Sequence, residues 1–174
     1  MKKFLLILFS CVFATRVYAH GNEWLGAGVL FKDTEWTPVQ VSLWPIHLCS
    51  PRSDVYGIAA SPGFIGFAQD VYGISCGIIF LQRANYGITA GIYPVGGQNN
   101  GISVGAINSW ESNNGVSMGI VNCIYGNSGS NILQIGAFNS ANDGLQIGLL
   151  NYNPNALIPW MPLFNFSSVN KNQK

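Results

Sequence analysis

The sequence predicts an all-β fold built from ~14-residue strand-turn units, with a parallel β-solenoid ranked ahead of an antiparallel meander or closed β-barrel. Three observations carry that prediction. Two glycines recur four residues apart within runs of large aliphatics, as in GLQIGLLNYN (144–153). The residues around them alternate in character with a period of two, the period of an extended strand. Clusters of Asn, Gly, Ser and Asp, namely QNNG (98–101), SNNG (112–115) and ANDG (141–144), punctuate the runs as turns do.

Each unit is numbered from its first glycine: Gly57, Gly73, Gly87, Gly101, Gly115 and Gly144, with Ile132 in the same place. The steps are 16, 14, 14, 14, 17 and 12 residues. The second position is aliphatic throughout, from Ile58, Ile74 and Ile88 to Leu145. The third is small or an uncharged polar residue: Ala59, Ser75, Thr89, Ser103, Ser117, Gln134, Gln146. The fifth is glycine from the second unit onward, Gly77 to Gly148. The eighth is asparagine in the last four units: Asn108, Asn122, Asn139, Asn151. A helix would scatter these columns around its circumference, and its glycines would weaken it.

On a strand, positions two, four and six share one face, which is expected to be the shielded, aliphatic one. Positions one, three and five share the other, where glycine admits a close neighbour. Position eight has the parity of the aliphatic face, and an inward Asn there can hydrogen-bond its copies as a ladder. Position seven (Ile79, Tyr93, Ile107, Val121, Phe138, Leu150) is also apolar and fits either face, according to whether the chain bends near the fifth-position glycine. The five charges between residues 54 and 170 (Asp54, Asp70, Arg83, Glu111, Asp143) fall outside the first seven positions and are expected in solvated turns.

The even step and shared Asn column favour the solenoid. Asn-Gly and Asp-Gly turns suit hairpins, and an aliphatic outside around a Gly/Ser/Gln lumen suits an outer-membrane barrel. The flanks EWLGAGVLF (23–31), TPVQVSLWPIHL (37–48) and IPWMPLFNF (158–166) read as strands that cap a stack or close a barrel. The two prolines of the last suit an edge. The organisation expected is a signal peptide over 1–19, N-terminal strands or a cap over 20–54, the β-repeat region over 55–155, a C-terminal cap strand over 156–166 and a disordered tail over 167–174.

Lys2 and Lys3 precede the apolar run FLLILFSCVFA (4–14), which is too short to span a bilayer, and Val17 and Ala19 suit a cleavage site before His20. A lipoprotein signal ending at Cys11 fits less well because Phe9 is bulky. Without residues 1–19 five basic residues (Lys32, Arg52, Arg83, Lys171, Lys174) stand against seven acidic ones, a formal charge of −2. There is no basic patch, so nucleic acid is not an expected partner. Only 9% of residues are charged, against roughly 25% in ordinary globular domains, while 48% are hydrophobic. Part of the surface therefore carries uncharged polar residues or faces something other than water. Three cysteines remain (Cys49, Cys76, Cys123), an odd number that is no disulfide framework.

Units of the form G-[ILV]-Q-[ILV]-G-[ILV]-[ILV]-N, ending in a proline-and-aromatic segment, resemble bacterial surface repeat-containing proteins of unassigned function. GLQIGLLNYN and PLFNF match best, VYGISCG and VYGIAAS resemble earlier units, and the likeness covers roughly residues 37–166. The middle units depart by using Ser or Thr for Gln, and the chain runs on past PLFNF. The resemblance implies an exported, envelope- or surface-associated protein and carries over no catalytic residue.

No enzymatic site is legible. HLC (47–49) is too short for a zinc site, which takes about four ligands. Asp33 and Glu35 share a strand parity, as a glycosidase pair does, but read as solvated turn charges. No cofactor is expected. The one candidate binding surface is a tyrosine column, Tyr56, Tyr72 and Tyr86, each preceding a unit glycine. Such a column is either a platform for sugar or protein or a ladder that stabilises the stack. Trp24, Trp36, Trp44 and Trp160 lie in the flanks, at core ends or a membrane interface. The expected function is a non-enzymatic structural or binding role at the envelope, its partner an envelope component, a membrane or an extracellular surface; the alternative is an integral outer-membrane barrel.

Overall fold

The computed structural model describes residues 29–31, 35–43, 46–126 and 130–167. The leader, His20, Trp24, Asp33, Trp44 and the tail beyond residue 167 lie outside them. The described chain contains ten strands and no helix: β1 (Val29–Phe31), β2 (Trp36–Leu43), β3 (Ile46–Cys49), β4 (Asp54–Val71), β5 (Ile74–Asn85), β6 (Ile88–Asn99), β7 (Ile102–Ile124), β8 (Asn131–Ser140), β9 (Gly144–Tyr152) and β10 (Trp160–Ser167). They form one sheet in the order β1-β3-β2-β4-β5-β6-β7-β8-β9-β10.

From β2 to β9 the β2–β4 pair and each later neighbouring pair are parallel. Ile74 pairs with Ile88 and Ile88 with Ile102, so the hydrogen-bonding step equals the sequence step of one unit. Parallel neighbours with no helix between them mean that each unit makes one full coil. The molecule is a parallel β-solenoid, and the hairpin-linked barrel is excluded. At the C-terminal end β10 runs antiparallel to β9.

The units stack as the columns require, but the side that faces inward is the reverse of the expected one. Position three is the interior: Ser75, Thr89, Ser103, Ser117, Gln134 and Gln146 are all fully buried. Position two points out, with Ile58, Ile74, Ile88 and Ile102 each 41–51% exposed. Between positions five and eight the chain turns, so the next inward residues are Phe80, Asn108, Asn122, Asn139 and Asn151, all at 0% exposure. Position eight therefore joins position three inside rather than sharing the aliphatic face. Position seven is half-buried at Ile79, Tyr93, Ile107, Val121 and Phe138 and exposed at Leu150.

Inside the coil, planar amides and hydroxyls bond to their copies along the stack, which isoleucine cannot do. Asn108 donates to Asn122 at 2.8 Å, Asn122 to Asn139 at 2.7 Å and Asn139 to Asn151 at 2.8 Å. Each also donates to a backbone carbonyl, those of Met118, Ile135 and Ile147 respectively. In-register copies one rung apart thus satisfy each other in the buried interior.

A second amide column went unread in the turn signals. The first Asn of both NNG turns is buried in a column with Asn85 and Asn131: Asn85 donates to Asn99, Asn99 to Asn113 and Asn113 to Asn131, each at 2.7 Å. Apolar filling occupies the rest of the interior. Val55, Ala59, Ala68, Val71 and Phe80 form one cluster, and Trp110, Ile124 and Ala141 another. The Trp110 indole N–H donates to Ser103 Oγ at 3.3 Å.

The first-position glycines are steric requirements. A Cβ on Gly87, Gly101 or Gly115 would fall within 3.0 Å of the carbonyl oxygen of the glycine one coil earlier. The coils are packed backbone on backbone there, which explains a glycine column with ordinary φ. Gly144 is the exception, at φ 79.

Of the five charges only Asp143 lies in a turn; Asp54 opens β4. Asp70 lies in β4 and is 3% exposed, Arg83 lies in β5 and Glu111 in β7. Arg83 Nε donates to Asp70 Oδ1 at 2.7 Å, and Nη2 contacts Oδ2. A carboxylate this deep is held by its pairing, not by water.

Candidate functional site

Two surface features follow from this geometry. The first is the tyrosine column. Tyr56 in β4 and Tyr72 and Tyr86 in the bends before β5 and β6 stand one rung apart with their side chains outward. Ring centroids are 4.6 Å apart at both steps, with interplanar angles of 4° and 2°. Trp36 meets Tyr56 edge-on at 6.4 Å. The rings stay 40–55% exposed. Their faces are turned on one another, so the column offers solvent mainly ring edges and hydroxyls. Desolvation by its neighbours, then the charge of Asp70 and the flanking phenols, raises the Tyr72 pKa above 10.0. The same edge continues in amides and hydroxyls: Asn114 donates to Asn100 at 3.0 Å, and Ser130 donates to Asn114.

The second feature is the outward aliphatic face itself. Positions two, four and six of successive coils form three parallel columns, including Ile78 (39%), Ile92 (57%), Ile120 (63%) and Leu149 (73%). The face runs on into both flanks. Val39 pairs with Ile58 and Val41 with Ala60 at one end, and Phe166 pairs with Leu145 and Phe164 with Ile147 at the other. Glu35, Arg52, Asp54, Asp70, Arg83, Glu111 and Asp143, the charges among the described residues, all lie off these columns. Nine strand segments at ~4.8 Å spacing make the face about 38 Å long. Three columns two residues apart make it about 18 Å wide with side chains, or about 700 Å², more than monomers usually expose in one patch.

His47 and Cys49 sit together on β3, both buried, with other partners than a metal. Cys49 N–H donates to Gln40 Oε1 at 2.9 Å, and Gln40 Nε2 donates to the Cys49 carbonyl at 3.0 Å. His47 Nδ1 lies 3.1 Å from Ser42 Oγ, its ring meets Phe67 edge-on at 5.7 Å, and Nε2 has no hydrogen-bond partner. Burial lowers its pKa below 6.5. The fold therefore favours neutral imidazole, and the stability this provides is full above pH 6.5 and lost as pH falls through the lower folded value. A urea-unfolding series should show stability dropping below pH 6.5 in the wild type and a flatter profile in His47→Gln. Equal slopes would show that His47 is not the group responsible.

Glu35, the described member of the Asp33/Glu35 pair, is exposed. Among the described residues no three His, Cys, Asp or Glu side chains gather as a metal site. The outward face is the feature that the sequence reading misassigned, although its signal, an uncharged aliphatic column in every unit, was in view. Comparison with family models, with curated proteins and with solved structures finds no match.

Proposed function

We propose that this chain is an exported, non-enzymatic protein of the bacterial envelope or surface that works by contact through its outward aliphatic face. One observation carries the reading: the coil turns its amides inward and its isoleucines outward, along the whole stack. Burying those side chains elsewhere is worth roughly 25 cal/mol per Å², so the face gains free energy whenever something apolar covers it. The basic, apolar leader and the surface-repeat resemblance support export. The tyrosine edge fits a contact margin, since such rings are apolar in body and polar at the tip.

Fractionation of cells expressing the full chain tests this. The expected result is a processed protein beginning at His20, found in the periplasm, the outer membrane or on the surface, and released from membranes by urea. An unprocessed chain retained in the cytoplasm would overturn the proposal, and a requirement for detergent would overturn its peripheral character.

A further inference from the structure

We infer that the outward face pairs with the same face of a second copy, the two solenoids running antiparallel about a two-fold axis through the Val104 rung. The inference rests on the reading above that this face is the working surface, and it names the occupant.

The position-four column carries the argument. Its rungs, in stack order, are Val41, Ala60, Cys76, Ala90, Val104, Met118, Ile135, Ile147 and Phe164. Val104 is the middle one. Before it this central column is small and after it large, so the middle of the face is a trough between flanking isoleucines in one half and is filled in the other. A two-fold axis lying along the Val104 strand turns one copy end over end while keeping column on column. It then sets Ala60 against Ile147, Cys76 against Ile135 and Ala90 against Met118. Each small residue of this column meets a large one, and on the axis Ile102, Val104 and Ala106 meet their own copies. The other face-to-face arrangement, with solenoids parallel, sets Ala on Ala in one half and Ile on Ile in the other. That leaves voids at one end and overlap at the other, both of which cost stability.

Charge and area agree with the pairing. A self-contact sets every charge against its own sign or a neighbour's, and this face carries none. Its strands already hydrogen-bond within the sheet, so covering it strands no backbone group. About 700 Å² from each copy gives about 1,400 Å², within the range of stable specific interfaces. An isologous contact of this kind closes after two copies.

Sedimentation and cross-linking of the purified exported chain test the inference. The wild type should sediment as a dimer at micromolar concentration. Val104→Lys sets two ammonium groups together on the axis and should weaken association at least about 100-fold, with the strand signal in circular dichroism unchanged. Cross-linking fixes the geometry. Cys76 is exposed on the face, Cys49 is buried, and Cys123 is replaced by serine in all variants. Adding Ile135→Cys should give a covalent dimer with a thiol-to-thiol reagent reaching the ~10 Å between packed sheets. Without it Cys76 should give none, because the two copies of Cys76 lie about four rungs, or ~19 Å, apart. A monomeric wild type overturns the inference, as does cross-linking through Cys76 alone, which reports parallel solenoids. A monomer that floats with neutral phosphatidylcholine vesicles assigns the face to lipid instead and also overturns it. None of these results bears on export, which fractionation reads separately.

Discussion

Replacement of Asn122 by alanine is expected to destabilise the fold by about 3 kcal/mol or more, read as unfolding free energy in urea. Asn122 is fully buried and stands mid-column. It accepts from Asn108 and donates to Asn139 Oδ1 and to the Ile135 carbonyl. Alanine removes a donor from two buried acceptors and an acceptor from one buried donor, each orphan costing roughly 1–3 kcal/mol. Asn122→Asp should be worse still, because a carboxylate oxygen would face Asn139 Oδ1 and a charge would be buried. Asn114, on the exposed edge, is the control: its alanine variant should stay within about 0.5 kcal/mol of wild type. If Asn122→Ala proves as mild as Asn114→Ala, the amide column does not hold the coils together.

Gly101→Ala should be at least as damaging, at about 3 kcal/mol or more. The added methyl would fall within 3.0 Å of the Gly87 carbonyl oxygen and against its carbonyl carbon and amide nitrogen. All three are backbone atoms, so no rotamer change relieves the overlap and the two coils must separate. Separation stretches the hydrogen bonds that flank the contact, including Ile102 N–H to the Gly87 carbonyl at 2.8 Å. The loss here is steric and not conformational, since Gly101 has no positive φ. Serine at this position should therefore be no better tolerated than alanine, and urea midpoints for the pair test that. Ala90→Val, a larger addition on the outward face, should change the monomer's stability by about 0.5 kcal/mol or less, measured at a concentration below association.

Much of this was legible in the residues. The columns Ile74–Ile88–Ile102 and Ser75–Thr89–Ser103 are the pairing register itself, read one unit at a time. The Asn108–Asn151 ladder followed from a shared column. What could not be read was which face is inside. Alternation says which residues lie together but assigns no direction. Hydrophobicity supplied the wrong one, because it leaves out the amide and hydroxyl bonds that in-register copies make along the stack. The same error hid the second ladder: Asn99 and Asn100 look alike in NNG, yet one is buried and the other stands on the edge. Asp70 was misread because its partner Arg83 is one coil away, a relation that sequence distance conceals. Of the candidate surface, the tyrosine stacking was predictable from its column, whereas the turning of ring faces onto one another, with centroids 4.6 Å apart, depends on the spacing of the rungs.

A stack of parallel strands bearing in-register amides is also the geometry from which fibres grow, each free edge templating the next chain. The last strand in the sheet order blocks that route. β10 reverses direction against β9, its pairing slips between Met161 and Leu163, and Pro162 at the slip has no N–H to offer. Leu163 follows at φ 70, a conformation that an L-leucine adopts only at a cost. An incoming chain would meet a kinked strand of the wrong polarity, so at that end the molecule cannot seed its own polymer.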